Sequence, residues 1–499
     1  MRRHLVTKGS FYERLADHGH EFIRDDDFAV LYSERMGRPS IPPSVMVRAM
    51  LCATHDRMAS DAETSRRTRV DADWKAAMGV DDDFEGIAAR TFSLMRARMI
   101  AHDADNELFK ATLAAAVKKG VFKGSLTAIV DSSPVNGAGA VADTYELLRA
   151  FVVKIGRAGG LRTKNTANRV AALAGGKPAI DWQDRAARKA HLGELVGLVR
   201  LVLAEVAEVS DPAVREAADA LAQIVDTDVE DDDEGSPQIR QGVGKDRVVS
   251  HSDPEMRHGR KSTSRRFDGH KMDLISDEDS ELILGIDIRA GNAADGEGAA
   301  PLLEQVQHIP GVEVDILLGD MAYSDGDVRQ AMEDRGVKLV AKVPPVTNGS
   351  YYPKTDFYVD VPRGEVTCPA GEVTKEARPT KDHKDRPALL FVFDAHTCAT
   401  CPLRPDCTAA PARTVTVSRH HARIQAARAA QTKPKVKALL RRRAKVERRI
   451  DHLQDLGMRK ARYRGRRKTK LQAFLAAAVA NFKRLVVLRA FDAAPALTA

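Results

Sequence analysis

Along this chain the strand and helix signals fall in the order β, β, β, α, β, α, β once one long helical stretch is set aside, an order few folds can satisfy. The first strand is Ser125-Leu-Thr-Ala-Ile-Val-Asp131, whose apolar run closes on an acid before the turn-rich Ser-Ser-Pro-Val-Asn-Gly137. Phe267 to Ile275 and Leu282 to Ile288 follow, joined through Ser276-Asp-Glu-Asp-Ser280 as a hairpin. A helix from about Gly296 to Val306 leads into Val314-Asp-Ile-Leu-Leu-Gly-Asp320, again a strand that runs out on an acid. Asp327 to Asp334 gives a further helix, stopped by Gly336, and Lys338 to Val343 the last strand. Three antiparallel strands followed by α/β alternation predict an α/β protein of the RNase H-like kind, a mixed sheet flanked by helices.

Around that sheet the chain divides into six stretches. Residues 1–120 read as an all-helical N-terminal domain. There Pro42-Pro43-Ser44 opens a helix, and Ser60-Asp-Ala-Glu63 has the spacing of a capping box. Trp74, Ala77 and Met78 supply a core face before Gly79, and Phe92 and Met95 another. A plain helical bundle and a helix-turn-helix-like DNA reader both fit this pattern. Residues 121–132 hold the first strand of the sheet domain. Residues 133–237 form a largely helical insertion, clearest from His191 to Val209, and end in a linker where seven of the nine residues Asp226–Glu234 are acidic. The central part of the sheet occupies 238–345. A second insertion, 346–430, carries four cysteines, and 431–499 holds a strongly basic helix and the C-terminal part.

Charge narrows the partner. The formal net charge is +8, yet Arg441–Lys470 alone holds 14 Lys or Arg against three acids. Such a stretch suits a polyanion, and Arg441, Arg442, Arg443, Arg448, Arg449, Arg459, Lys460, Arg462, Arg464, Arg466, Arg467, Lys468 and Lys470 are the expected phosphate contacts, with a solvated basic face as the alternative. Carboxylates on a rigid sheet, inside a cationic surface, are what divalent metals and a phosphate backbone together require. No stretch approaches the roughly 20 apolar residues of a membrane span, and Met1-Arg-Arg-His lacks an apolar signal core. Five cysteines in 499 residues do not make a disulfide scaffold, so the expected compartment is the reducing cytoplasm, in association with the nucleoid.

The third acid is Glu447, in Arg441-Arg-Arg-Ala-Lys-Val-Glu-Arg-Arg-Ile450. Its plain alternative is a helical ion pair with Arg443, and Asp451 and Asp455 are its competitors. Val436, Leu439, Val446, Ile450 and Leu453 form the stripe expected to pack on the sheet. Several ordered motifs now carry a resemblance. Leu31-Tyr-Ser-Glu-Arg-Met-Gly-Arg-Pro-Ser-Ile-Pro-Pro-Ser44, Ser252-Asp-Pro254, Gly269-His-Lys271, Gly319-Asp-Met-Ala-Tyr-Ser324, Ala461-Arg-Tyr-Arg-Gly465 and Ala478-Val-Ala-Asn-Phe-Lys-Arg-Leu485 span nearly the whole chain. Together they resemble the DDE transposases of bacterial insertion sequences. Related enzymes often place Tyr, Arg, Glu and Lys along the last helix; here Arg443 and Glu447 fit, while Leu440 and Gln454 stand at the outer positions.

The resemblance implies Asp131, Asp320 and Glu447 as catalytic acids and metal ligands, for two Mg²⁺ ions with Mn²⁺ able to substitute. Asp131 is expected to serve both ions, and Asp320 and Glu447 one each. Water would free a 3′-hydroxyl at the element end, and that hydroxyl would attack target DNA. The implied partner is double-stranded DNA, at element ends and target, with the protein a homodimer or higher oligomer on it. A catalytically dead DNA-binding relic and a nuclease that cuts without joining are the alternatives.

Cys368, Cys398, Cys401 and Cys407 are separated by 29, two and five residues. Cys398-Ala-Thr-Cys401 is a knuckle able to present two thiolates, and the four suit one Zn²⁺ in a small β-rich ribbon. An iron–sulfur cluster and free thiols are the competing readings. Cys52 lies in an apolar helical run and reads as core; Tyr323 and Tyr463 read as structural or as base-stacking rings.

Overall fold

The computed structural model describes residues 6–32, 41–262 and 264–492. Most of the Leu31–Ser44 motif, residues 33–40, and the Met1-Arg-Arg-His start lie outside them.

Six strands build one mixed sheet: β1 (Leu126–Asn136), β2 (Arg257–Arg260), β3 (Arg266–Asp277), β4 (Ile283–Ala290), β5 (Val314–Gly319) and β6 (Lys338–Ala341). β3 pairs antiparallel with β1, with β4 and, at its start, with β2; β1 runs parallel to β5, and β5 to β6. Ala128, Ile129, Val130, Leu317 and Leu318 are fully buried, as near-continuous apolar runs demand in strands covered on both faces. Helix Ala299–Gln307 leads from β4 across the sheet to β5, and Gly326–Glu333 makes the crossover between the parallel neighbours β5 and β6.

One expectation is corrected here. Asp131 does not end its strand: β1 continues to Asn136, with Asp131 opposite Leu274 and Ser132 opposite Asp273. The turn-like Ser-Ser-Pro-Val-Asn stays extended because β3, twelve residues long, pairs with it all the way to Gly269. Partner length overrides local propensity.

The N-terminal helices include Pro43–His55, Asp61–Val70, Ala72–Met78, Ala89–Ala101 and Glu107–Lys118. Ser60 caps its helix by accepting from the Glu63 N–H at 3.1 Å. Their buried faces, with Trp74, Phe92 and Leu113, belong to one continuous core with the sheet. The C-terminal helix Arg466–Val487 joins the two. Leu471, Ala473 to Ala480 and Phe482 are all buried, so this helix is apolar nearly all round and sits inside the molecule.

The first insertion has its own core, from Leu147, Phe151, Leu195, Val199 and Leu221 on helices Thr144–Arg157, Arg185–Val206 and Pro212–Asp228. The acidic stretch that ends it is more than a solvated linker. Asp228 is buried, accepts from Thr144 Oγ1 at 2.7 Å and pairs with Arg247 at 2.9 Å. Val229–Asp231 and Pro237–Ile239 then form a small hairpin. Paired carboxylates account for the order, since a charge run stays solvated only without counter-ions in reach. The second insertion holds two three-stranded antiparallel sheets over a small core of Phe357, Val366, Phe391, Phe393, Val415 and Val417.

The basic helix comes in two pieces, Pro434–Arg442 and Lys445–Leu453, with Arg443 at the break. Val446, Ile450 and Leu453 are buried, and the second piece packs on β1. A wider turn, Gln454–Met458, contains Gly457, whose φ of 99° favours glycine. The chain then returns to the end of β1, where Ala461 N–H donates to Asn136 O at 2.7 Å.

Candidate active site

Asp131, Asp320 and Glu447 reach one cavity of about 800 Å³ from three separate parts of the chain. β1 supplies Asp131. Asp320, directly after β5, caps a short turn by accepting from the Ala322 N–H at 2.8 Å. Glu447 comes from the first turn of its helix. Arg443 lies between two of them, 3.0 Å from Asp131 Oδ2 and 3.1 Å from Glu447 Oε1. The helical ion pair and the shared cavity are therefore both present. Asp451 lines the same cavity, whereas Asp455 faces Arg459 at 3.5 Å.

Burial pushes the Asp131 carboxyl up to about 6, the neighbouring Asp320 and Asp295 carboxylates add to this, and the Ser132 N–H and Arg443 oppose it. Asp320 and Asp295 crowd the Asp131 carboxylate, and a divalent cation beside it would relieve that local repulsion. All the donors are hard carboxylate oxygens, so the set suits Mg²⁺ or Mn²⁺ rather than softer metals. As placed, however, no group of three or more His, Cys, Asp or Glu side chains among the described residues converges closely enough to hold a metal ion.

A layer beneath the acids went unread in the sequence. Asp295 accepts from Ser132 Oγ at 2.7 Å and from Lys271 Nζ at 2.5 Å. Arg289 donates to Ala294 O at 3.0 Å and pairs with fully buried Asp273, tying β3 and β4 to the Asp295 turn. Burial pushes Asp273 up to about 6 even with Arg289 against it. Tyr323 is wholly buried, its hydroxyl unpartnered, and it is held well above the ordinary tyrosine range by burial and then by Asp273, Asp131, Asp295 and Asp320. That burial excludes base stacking by Tyr323. Only the Gly-His-Lys271 motif hinted at this layer; Asp295 and Arg289 gave no local signal. Gln454 donates to Ser133 Oγ at 2.9 Å, which gives the departure at that position a structural role.

The expected phosphate contacts split into two sets. Arg448 and Arg449 pair with Glu281, at 2.6 and 3.3 Å, and Arg442 with buried Glu278, docking the helix on the β3–β4 turn. Arg462 pairs with Asp61 at 3.0 Å, Arg466 with Glu255 at 2.9 Å, Arg467 with Asp103 at 2.5 Å and Asp105 at 3.1 Å, and Lys470 with Asp287 at 2.8 Å. Arg96 and Arg462 lie over the Tyr463 ring. Arg441, Lys460, Arg464 and Lys468 make no ion pair among the described residues. Arg443 and Arg459 line the acidic cavity, and so do Arg260, Lys261 and Arg265 from the β2–β3 turn, which the sequence reading passed over.

Cys368, Cys398, Cys401 and Cys407 are free and line one cavity of about 130 Å³ in the second insertion. Burial pushes the Cys407 thiol up, and the other three cysteines act on it in the same direction. Cys52 is buried core, as expected.

No described helix is long and apolar enough to cross a membrane. No curated protein and no solved structure matches the chain. Two family models do. Residues 367–486, from the cysteines through Glu447 to the C-terminal helix, match the transposase DDE domain. Residues 1–98, the N-terminal helices, match the transposase domain (DUF772). Both ends of the chain are thus similar to transposase domains, one of them the DDE domain itself.

Proposed function

We propose that this transposase cuts DNA at the ends of its element and joins the freed 3′-hydroxyl to target DNA, with Asp131, Asp320 and Glu447 as its catalytic acids. The observation that carries this reading is the arrival of three carboxylates, from positions 131, 320 and 447, in one cavity walled by Arg260, Lys261, Arg265, Arg443 and Arg459. A polyanion is drawn into such a site while its charge is met locally. The strand order β4-β3-β1-β5-β6 supports an RNase H-like catalytic domain assembled from 121–132, 238–345 and 431–499.

Asp131, Asp320 and Glu447 would hold two Mg²⁺ ions, or Mn²⁺ in their place. Bound there, the ions supply Lewis acidity to the attacking and departing oxygens of the phosphodiester. The chain's own residues do the rest. Arg443, between Asp131 and Glu447, is placed to take a phosphate oxygen, and the Asp295–Lys271–Arg289 layer fixes the strand that carries Asp131. In the first step water displaces the 3′ oxygen from phosphorus, leaving a 3′-hydroxyl and a 5′-phosphate. In the second that hydroxyl displaces a target 3′ oxygen, so one phosphodiester forms as another breaks.

Incubating the protein and Mg²⁺ with a duplex carrying the element end and a target plasmid tests this. Nicked ends together with joined products are the expected result. Nicks without joining would reduce the protein to a nuclease, and binding without nicks to a relic.

We also infer a structural Zn²⁺ on Cys368, Cys398, Cys401 and Cys407, supported by the cavity that they share beside the small core of the insertion. Purified protein should then carry about one zinc per chain, and Cys401→Ser should lose it and open the insertion to protease. Metal analysis finding neither zinc nor iron would return the four to free thiols.

A further inference from the structure

Four of the eight cations in the basic run Arg459–Lys470 are engaged by acids elsewhere in the molecule. Arg462, Arg466, Arg467 and Lys470 hold Asp61, Glu255, Asp103 and Asp105, and Asp287. Three of these five acids, Asp61, Asp103 and Asp105, lie on the N-terminal helices or the loops between them, so Arg462 and Arg467 fasten those helices to the sheet domain. A different segment presents unpaired cations to the acids. Residues 257–266, spanning β2 and the start of β3, contain five Lys or Arg and no acid. Arg260, Lys261 and Arg265 are exposed, make no ion pair among the described residues, and line the cavity of Asp131, Asp320 and Glu447.

The pairing itself is costly. Arg260 sits directly opposite Arg266, and the Lys261 N–H donates to Arg265 O at 2.8 Å, so two successive rungs set like charges face to face. Like charges opposite one another destabilise a hairpin, and no carboxylate of the described residues offsets these. The base is nonetheless firmly seated. His258 pairs with Asp268, and at Gly291 any side chain would stand 2.7 Å from Gly269 O and 2.8 Å from Arg257 O, so β2, β3 and the end of β4 meet backbone to backbone. Phe267, opposite Gly259, adds a ring to the cavity wall beside the cations. Cations without acidic partners, carried on a firmly seated strand pair beside an acidic cleft, fit one class of partner: a polyanion whose backbone must lie across that cleft.

We propose that the β2–β3 hairpin is the phosphate clamp of this enzyme, with Arg260, Lys261 and Arg265 holding the DNA backbone over the acids, while the basic run after Glu447 serves mainly to fasten the N-terminal helices. The proposal rests on the DNA-processing reading above. Its test is equilibrium binding to an end-containing duplex across a salt series, without divalent metal, so that binding is measured apart from chemistry. Each phosphate contact contributes a slope of about 0.9 in log K against log salt, so R260A/K261A/R265A should lower the slope by nearly three units. R265A alone should lower it by about one, R260K/R265K should keep it, and R466A/R467A should leave the slope intact while lowering the melting temperature. These side chains are exposed, so folding of the hairpin variants should be unchanged, and R265A guards against the triple variant unfolding. A wild-type protein that cuts and joins DNA, with hairpin variants of unaltered slope, would overturn the clamp and leave the transposase reading standing. Loss of slope in a protein that never cuts would do the reverse. A slope lost instead in R466A/R467A at unchanged stability would move the clamp to the C-terminal run.

Discussion

Asp131→Asn or Asp320→Asn is expected to lower Mg²⁺-dependent end cleavage by roughly a thousandfold or more, with DNA affinity nearly unchanged. A neutral amide is a poor ligand for a hard cation, so the variant keeps the shape of the cavity and loses its charge. The metal-free protein gives a second readout. Asp131 titrates near 6 in the native chain against an ordinary 3.8, so its charged form is disfavoured by about 3 kcal/mol at most. Because the native pKa is raised, this penalty is fully present above pH 6, shrinks as pH falls through 6, and is gone below the unfolded value. Asp131→Asn should therefore melt higher than wild type at pH 7.5, and the two should converge as pH falls towards 4. Mg²⁺ should raise the wild-type melting temperature and not that of the variant. An Asn variant less stable at neutral pH, or unchanged in cleavage, would take Asp131 out of the site. Glu447→Gln should match the aspartate variants in cleavage. If it stays active while Asp451→Asn is dead, the acid on this helix is Asp451, which lines the same cavity.

The sheet was legible because its strands are apolar enough to be buried on both faces, as Ala128 to Val130 and Leu317 to Leu318 are, and because helix and strand periods differ sharply. Local signals failed where a distant partner decided the outcome. Ser132 to Asn136 reads as turn yet pairs with β3, and Asp228 reads as linker yet is buried against Thr144 and Arg247. Asp131, Asp320 and Glu447 could be picked out, and the chain does bring them to one cavity. Asp295, Arg289 and the β2–β3 cations could not, since their meaning depends on which carboxylates the fold places beside them. Charge counting has a related limit. It located the excess at Arg441–Lys470 but not the acids 160 to 400 residues away that absorb much of it, Glu281, Asp103 and Asp61 among them.

Asn481→Leu should destabilise the whole chain by about 3–5 kcal/mol, more than any surface change. Asn481 lies on the C-terminal helix, buried, where Ala478-Val-Ala-Asn-Phe482 passes along the outer edge of β4. Its Oδ1 accepts from the Ile283 N–H at 2.8 Å, and its Nδ2 donates to Ile283 O at 2.9 Å and Thr112 Oγ1 at 3.3 Å. One amide thus satisfies both backbone groups at the start of an edge strand and reaches an N-terminal helix, in a place where water has no access. Leucine fills the volume but strands an N–H and a C=O, each costing about 1–3 kcal/mol when buried unpaired. Aspartate is no rescue: it accepts from Ile283 but cannot donate, and it buries a charge. Thr112→Val removes only the longest of the three bonds and should cost under about 1 kcal/mol. Denaturant unfolding of the three variants, followed by protease resistance of the N-terminal helices, measures the difference. A cost below about 1 kcal/mol for Asn481→Leu would mean that the β4 edge finds other partners and that packing of Leu471 to Phe482 alone seats the helix.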